Sequence, residues 1–317
     1  MSGTDQRLLT EATLAAITRR LDPEARLLAS HTLEGGVSAT MTALDVDRRG
    51  RRQTVIVRLP GPANLKADPE SATHEFRLLG LLAEHGIPAP RPLLLDTARD
   101  LVAMDYLVLG WLEGAVDFAP ADPIAAAEAM AALLARVHAI PATPDLGFLP
   151  MVDDPLALQE AGLADDHPAR LDAAGVRHAE LARAEALPAG FVLLHGDFWP
   201  GNMLWRDGAL AAALDWEDAA TGDPLSDVAI ARLDLAIFFG LDAADAFAAR
   251  YSRETGHDLA ALPLWDLYAC QRGPVDYGAW GDSWAEEGRP DLDAAAMEAG
   301  RSAMLQRART ALGLPRL

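Results

Sequence analysis

One cysteine and one lysine in 317 residues set the first limits on this chain. Cys270 alone cannot form an intramolecular disulfide, and its isolation excludes a zinc site built from a cysteine cluster. Lys66 is the only lysine, so arginine supplies the other side-chain cations; 27 basic residues stand against 47 acidic ones, a formal net charge of -20. Nucleic-acid phosphates would be repelled over much of such a surface, so no nucleic-acid partner is expected. A cationic ligand would be attracted, although acidity also serves solubility by itself. No apolar run reaches the length of a membrane span, so no membrane partner is expected either. The opening residues, Met1 to Gln6, are polar and lack a signal-peptide pattern, and we expect a cytoplasmic protein. Repeats and glycine-serine linkers are also missing. What is present is a chain that is 50% hydrophobic, globular in composition and long enough for two lobes with cores of their own.

The most informative stretch is Leu194-His195-Gly196-Asp197-Phe198-Trp199-Pro200-Gly201-Asn202-Met203-Leu204-Trp205. Apolar runs of strand length, Phe191 to Leu194 and Met203 to Trp205, flank a loop punctuated by Gly196, Pro200 and Gly201. A third run, Ala209 to Leu214, follows the turn Arg206-Asp207-Gly208 and ends on Asp215. One carboxylate therefore precedes a tight hairpin and another leaves its far end, which brings Asp197, Asn202 and Asp215 together. Phosphoryl transfer from a nucleotide needs such a set: a carboxylate to take or orient the proton of the attacking hydroxyl, and an amide oxygen with a second carboxylate to hold magnesium against the phosphates. Four residues separate Asp197 from Asn202, the spacing of the kinase catalytic loop, with His-Gly-Asp where protein kinases carry His-Arg-Asp.

These residues, followed by Leu214-Asp215-Trp216-Glu217 and Gly222-Asp223-Pro224-Leu225-Ser226-Asp227, resemble the aminoglycoside phosphotransferase and choline kinase-like family. The resemblance implies an α+β, bilobal protein-kinase-like fold. A small N-lobe of antiparallel sheet plus helix would span 1–109 and bind nucleotide; a larger, mainly helical C-lobe with the catalytic hairpin would span 110–317 and bind the acceptor. Asp197 would be the catalytic base, and Asn202 and Asp215 the magnesium ligands. Asp223 would cap the helix that Pro224 opens, and Asp227 would brace the catalytic loop.

On the same resemblance, the first hairpin covers the nucleotide phosphates through Gly35, Gly36 and Ser38, although an ordinary hairpin explains those three as well. Strands are expected at 39–46 and 53–60, with a shorter one at His31. The third strand carries no lysine; Arg58 takes the place of the phosphate-binding cation, since a guanidinium can bind phosphate bidentately. The helix over 71–84 should supply its acidic partner, Glu75 in preference to Glu84 at the far end. Runs at 92–96 and 101–104 read as further strands, and Tyr106 to Gly114 as the last N-lobe strand and hinge, where the carbonyl of Gly110 and the N–H of Leu112 would pair with the base.

Helices are expected at 6–21, 124–140, 171–187, 228–239, 243–255, 262–271 and 294–312. His138 reads as a packed or capping histidine. Between 273 and 287 aromatics alternate with carboxylates, a composition suited to cation recognition but equally to a connector with buried aromatics. Trp199 is a further candidate to face the acceptor.

The expectation is a magnesium-dependent transfer of the γ-phosphate of ATP or GTP to a hydroxyl of a small molecule, with cationic or amino-bearing compounds such as an aminoglycoside or amino alcohol among the candidates. The alternatives are a nucleotide-binding pseudokinase or interaction module without turnover, and a metal-dependent hydrolase using the same carboxylates.

Overall fold

The computed structural model describes residues 9–33, 38–152, 190–272 and 284–315. Gly35 and Gly36, the helix expected at 171–187 and most of the aromatic-acidic stretch (273–283) lie outside the described residues. The chain divides into two compact units, Met1–Glu113 and Gly114–Leu317.

The first unit is built on a five-stranded antiparallel sheet in the order β1-β2-β3-β5-β4: β1 (Arg26–Thr32), β2 (Ala39–Arg48), β3 (Arg51–Pro60), β4 (Pro92–Asp96) and β5 (Tyr106–Gly110). β2 and β3 pair over their full length, Ala39 opposite Pro60 and Arg48 opposite Arg51. The two-residue turn between them places Arg49 and Gly50 at φ +55° and +78°, the handedness that matches strand twist. One face of the sheet takes α1 (Glu11–Leu21), which buries Leu14 and Ile17 against Leu44, Val55, Val57 and Leu59. Alternation along β3 turns Arg58 away from its neighbours Val57 and Leu59. A short α2 (Pro62–Ala67) leads to α3 (Ser71–Glu84), which buries Leu78, Leu79 and Leu82 and packs against β3, β4 and β5.

The run at 101–104 is not a strand. It forms bends that plug the core from outside the sheet, with Val102 buried and Leu101 and Met104 packed beside it. Ion pairs hold it in that form: Arg20 with Asp100 at 2.7 Å and Arg99 with Asp105 at 2.7 Å, the latter from a backbone at φ +55°. An apolar run marks burial; whether it also pairs depends on a free sheet edge beside it.

The second unit begins with α4 (Pro123–Val137), where the Asp122 side chain accepts from the Ala125 N–H at 3.0 Å and proline takes the first turn. Three short strands form a mixed sheet, β6 (Met151–Val152), β7 (Val192–Leu194) and β10 (Ala220–Gly222), with β10 in the middle, parallel to β6 and antiparallel to β7. β8 (Met203–Arg206) and β9 (Ala209–Ala213) make the hairpin, turned by Asp207 and Gly208 at φ +53° and +76°. The run ending at Leu194 is therefore not an arm of that hairpin; β10, unmarked by any apolar run, is its partner.

The remaining helices among the described residues are α5 (Leu225–Phe238), α6 (Leu241–Thr255), α7 (Leu262–Arg272) and α8 (Ala294–Ala311). Every residue of α5 except Asp234 is buried, because α6, α7 and α8 all pack on it. A helix buried all round forms the axis of this unit, and Asp227 in its first turn accepts from the amides of His195 and Gly196.

Candidate active site

The loop between β7 and β8 is shaped by one close approach. At Gly196, φ is +83° and an added Cβ would stand 1.9 Å from the main-chain oxygen of Asp218, so only glycine lets the chain pass. Asp197 follows, half-buried. A single 3-10 turn, Pro200–Asn202, then swings Asn202 back beneath it. Both hydrogens of the Asn202 amide go to Asp197, one to its carbonyl at 2.9 Å and one to Oδ2 at 3.0 Å. That assignment leaves Oδ1 as the side chain's acceptor.

The far end of the hairpin is tied to the same loop by two bonds through Leu214. Its N–H donates to the Asn202 carbonyl at 2.8 Å, and its carbonyl accepts from His195 Nε2 at 3.0 Å. The next residue is Asp215, held at φ +57°, a left-handed conformation costly for a side chain larger than glycine and found where a site over-determines the backbone. Asn202 is thus bonded directly to Asp197, and the residue before Asp215 is tied to both His195 and Asn202.

His195 is the link between the two ends. It is fully buried, and burial pushes its imidazole down to about 4, so the ring is neutral near pH 7. With Nε2–H given to Leu214, Nδ1 accepts from the Asp197 N–H at 3.3 Å. The Trp216 ring lies 4.4 Å from it, centroid to centroid, and its own N–H is anchored on the Ala213 carbonyl.

Asp227, in the first turn of α5, holds the loop from behind. Oδ2 accepts from the His195 N–H at 2.6 Å and Oδ1 from the Gly196 N–H at 2.9 Å. Burial would push this carboxyl up, but the hydrogen bond and charge of His138, with the His195 amide, hold it below the usual carboxylate range. Asp223 caps the same helix, Oδ1 accepting from the Leu225 N–H at 2.9 Å.

In the first unit, Arg58 Nε meets Glu75 Oε2 at 2.9 Å, with the side chains 6% and 12% exposed. Of the two carboxylates weighed on α3, Glu75 is the one that reaches the arginine. Ser38 sits at the base of the first hairpin, where its carbonyl accepts from the Gly61 N–H at 2.9 Å. A Cβ on Gly61 would lie 2.1 Å from that oxygen, so this glycine is required for the hairpin to close against the end of β3. Gly110 ends β5, its N–H donating to the Arg91 carbonyl at 2.8 Å, and Leu112 follows, half-buried.

Residues 31–268 match the phosphotransferase enzyme family. The chain belongs to that family. Solved structures share the fold: macrolide 2'-phosphotransferase MphH from Brachybacterium faecium is 21% identical, with a TM-score of 0.55 over 96% of this chain and 98% of its own. The GDP complex of aminoglycoside 2'-phosphotransferase-IIIa gives a TM-score of 0.57 at 16% identity over 95% and 99%. A choline/ethanolamine kinase family protein from Mesorhizobium loti gives 0.55 at 19% over 98% and 95%. Among curated sequences, acyl-CoA dehydrogenase family member 11 of Homo sapiens is 23% identical over 203 residues. Family member 10 of Mus musculus is 25% identical over 211 residues. These matches take in 56% and 59% of this chain, which spans only 25% and 19% of those relatives' length.

The fold of this chain is protein-kinase-like, an antiparallel sheet with helices followed by a mainly helical unit. Among its described residues, no group of three or more histidine, cysteine and acidic side chains is placed to hold a metal ion. The donors that remain, the Asn202 amide oxygen and the Asp215 carboxylate, are hard oxygen ligands and few, which fits magnesium completed by phosphates and water.

Three features of the candidate site go beyond what the sequence signals. His195 stands within the motif, but its double link to Asp197 and Leu214 follows from the fold. Gly196 reads as a turn residue in the sequence and is a steric necessity in the structure. Phe118 and Phe238 flank Trp199 with ring centroids 5.9 and 5.7 Å away, Trp284 packs edge-on against both phenylalanines, and Arg289 donates to the carbonyls of Phe118 and Phe238. No spacing in the sequence signals that grouping.

Proposed function

We propose that this chain transfers the γ-phosphate of a nucleoside triphosphate, ATP or GTP, to a hydroxyl group of a small molecule. The observation that carries the reading is the double hydrogen bond from Asn202 to Asp197, with Asp215 tied beside them through Leu214. In this reading Asp197 orients the acceptor hydroxyl and takes its proton as the phosphoryl group arrives. Asn202 Oδ1 and the Asp215 carboxylate hold magnesium, which when bound neutralises charge on the phosphates. Arg58, oriented by Glu75, binds nucleotide phosphate, joined by backbone donors of the first hairpin at Gly35, Gly36 and Ser38. The Gly110 carbonyl and Leu112 N–H serve the base. Positioning and charge stabilisation do most of the work.

The net charge of -20 favours a cationic or amino-bearing acceptor. Trp199, half-buried two residues from Asp197 and grouped with Phe118, supports the same choice through its π face. The names of the solved relatives, which include macrolide, aminoglycoside and choline/ethanolamine kinases, set the panel to try.

The test is mass-spectrometric detection of an added phosphate across aminoglycosides, macrolides and amino alcohols, with magnesium and either ATP or GTP, beside Asp197→Ala. Acceptor-dependent product lost by at least ~10²-fold in the variant is expected. Nucleotide binding without product from any acceptor would favour an interaction module. Phosphate release that no acceptor accelerates would favour a hydrolase.

A further inference from the structure

Asp227 is not the end of the network that holds the catalytic loop. Behind it stands His138, the residue that closes α4, with its side chain fully buried and Nε2 3.2 Å from Asp227 Oδ2. The other ring nitrogen, Nδ1, lies 2.7 Å from the hydroxyl of Tyr251 on α6. That hydroxyl also meets His257 Nδ1 at 3.0 Å. His257 is half-buried just past Gly256 and is itself fixed: Ser252 Oγ donates to its carbonyl at 3.0 Å, and its N–H donates to Thr255 Oγ1 at 3.1 Å. An unbroken line of hydrogen bonds therefore runs from the end of α6 to the amides of His195 and Gly196, one residue short of Asp197.

The chemistry of each atom sets the direction of the line. An ionised carboxylate only accepts, so His138 Nε2 carries a hydrogen and donates to Asp227. If the ring is neutral, Nδ1 accepts from the Tyr251 hydroxyl, whose oxygen accepts from His257. If the ring is doubly protonated, the bonds on either side of Tyr251 reverse and every atom keeps a partner. A phenol serves both arrangements because its oxygen donates and accepts. It also selects the ring's orientation: a flipped imidazole would turn carbon toward both Tyr251 and Asp227. Packing alone cannot make that choice, since the two rings meet edge to face with centroids 5.5 Å apart, a contact phenylalanine would preserve.

We infer that Tyr251 is a positioning residue for the reaction. Its hydroxyl orients His138 and, through Asp227, fixes the two amides that aim Asp197, with His257 as its outer support. The kinetic part of this inference rests on the phosphoryl-transfer reading; the structural part does not.

Tyr251→Phe removes the hydroxyl and keeps the ring, and His257→Ala removes only the outer support. Residue-resolved amide exchange should be roughly tenfold faster at His195 and Gly196 in Tyr251→Phe, with amides in the middle of α5 unchanged. With an acceptor from the panel, kcat should fall roughly three- to tenfold while KM for the nucleotide holds. His257→Ala should shift both readings the same way by less. A purely structural tyrosine would loosen α6 broadly and leave kcat per folded enzyme at the wild-type value, and either wild-type exchange at the two amides or wild-type kcat in folded Tyr251→Phe overturns the inference. Should Tyr251→Phe fail to fold, the same two readings on His257→Ala decide it. If the wild type phosphorylates nothing, the reaction reading fails, and exchange at His195 and Gly196 still decides whether the hydroxyl holds the loop.

Discussion

At Gly196 the backbone itself is the functional group. The Asp218 main-chain oxygen occupies the space a side chain would need, and φ is +83°. Gly196→Ala must therefore move either the loop or the segment after Asp215, and both carry proposed catalytic groups. Displacements near 1 Å cost about 10²-fold in positioning-dependent reactions. We expect kcat of Gly196→Ala to fall by about that factor with the circular dichroism of the folded protein retained; activity within about twofold of wild type would show that the loop tolerates the shift. His195 offers a second lesson at this scale. Its burial keeps it neutral, and its two nitrogens are spent on Leu214 and on Asp197, so it holds the loop together.

Among the elements, α5 carries the greatest structural demand. It holds Asp227 against the loop that carries Asp197 at one end and, further along, Arg232, which reaches Asp266 of α7 at 3.2 Å and the Ala244 carbonyl at 3.1 Å. Both side chains of the pair are under 10% exposed, at 9% and 5%. Burial pushes the Asp266 carboxyl up, and the charge and hydrogen bonds of the Arg232 guanidinium pull against that shift. Arg232→Met leaves that acid without its cation and should lower unfolding free energy by about 3–5 kcal/mol in denaturant titration. Arg232→Met with Asp266→Leu should recover most of the loss, because a well-packed apolar pair avoids the desolvation of two ions. If the double variant is no better than the single one, the pair is holding α5 and α7 in place by geometry rather than by charge balance.

For the whole molecule, acid should be the sensitive direction. Burial lowers the imidazole of His195 to about 4 and that of His257 in the same direction, against an ordinary value near 6.5. The unfolded chain therefore binds more protons than the folded one as pH drops below about 6.5, and stability falls across the window down to about 4. Asp227, held below the usual carboxylate range, adds a loss that begins only as pH approaches the ordinary carboxylate value near 4. The thermal midpoint should be level from pH 7 to 8 and should drop between about 6.5 and 4, with a shallower drop in His195→Asn. A midpoint unchanged down to about pH 4.5 would mean the histidines are not held neutral in the fold.

Much of the architecture was legible in the residues themselves. Period-two alternation and the turn Asp47 to Gly50 mark β2 and β3, and the periodic run over 71–84, stopped by Gly86 and Pro88, marks α3, since these are local signals of side-chain spacing and backbone preference. The spacing from Asp197 to Asn202 and the hairpin after it pointed to one site for the same reason. Other features depend on segments far apart in the chain. β10 is a strand only because β6 and β7 flank it, and 101–104 is not one because it covers the core beyond the sheet. The steric necessity of Gly196 and the line from His257 to the loop that carries Asp197 join residues that no local pattern relates. Sequence determined the element types and the chemistry available, because spacing and turn propensity act over a few residues. Tertiary structure alone decided partners, protonation and strain, because those follow from what burial brings within hydrogen-bonding distance.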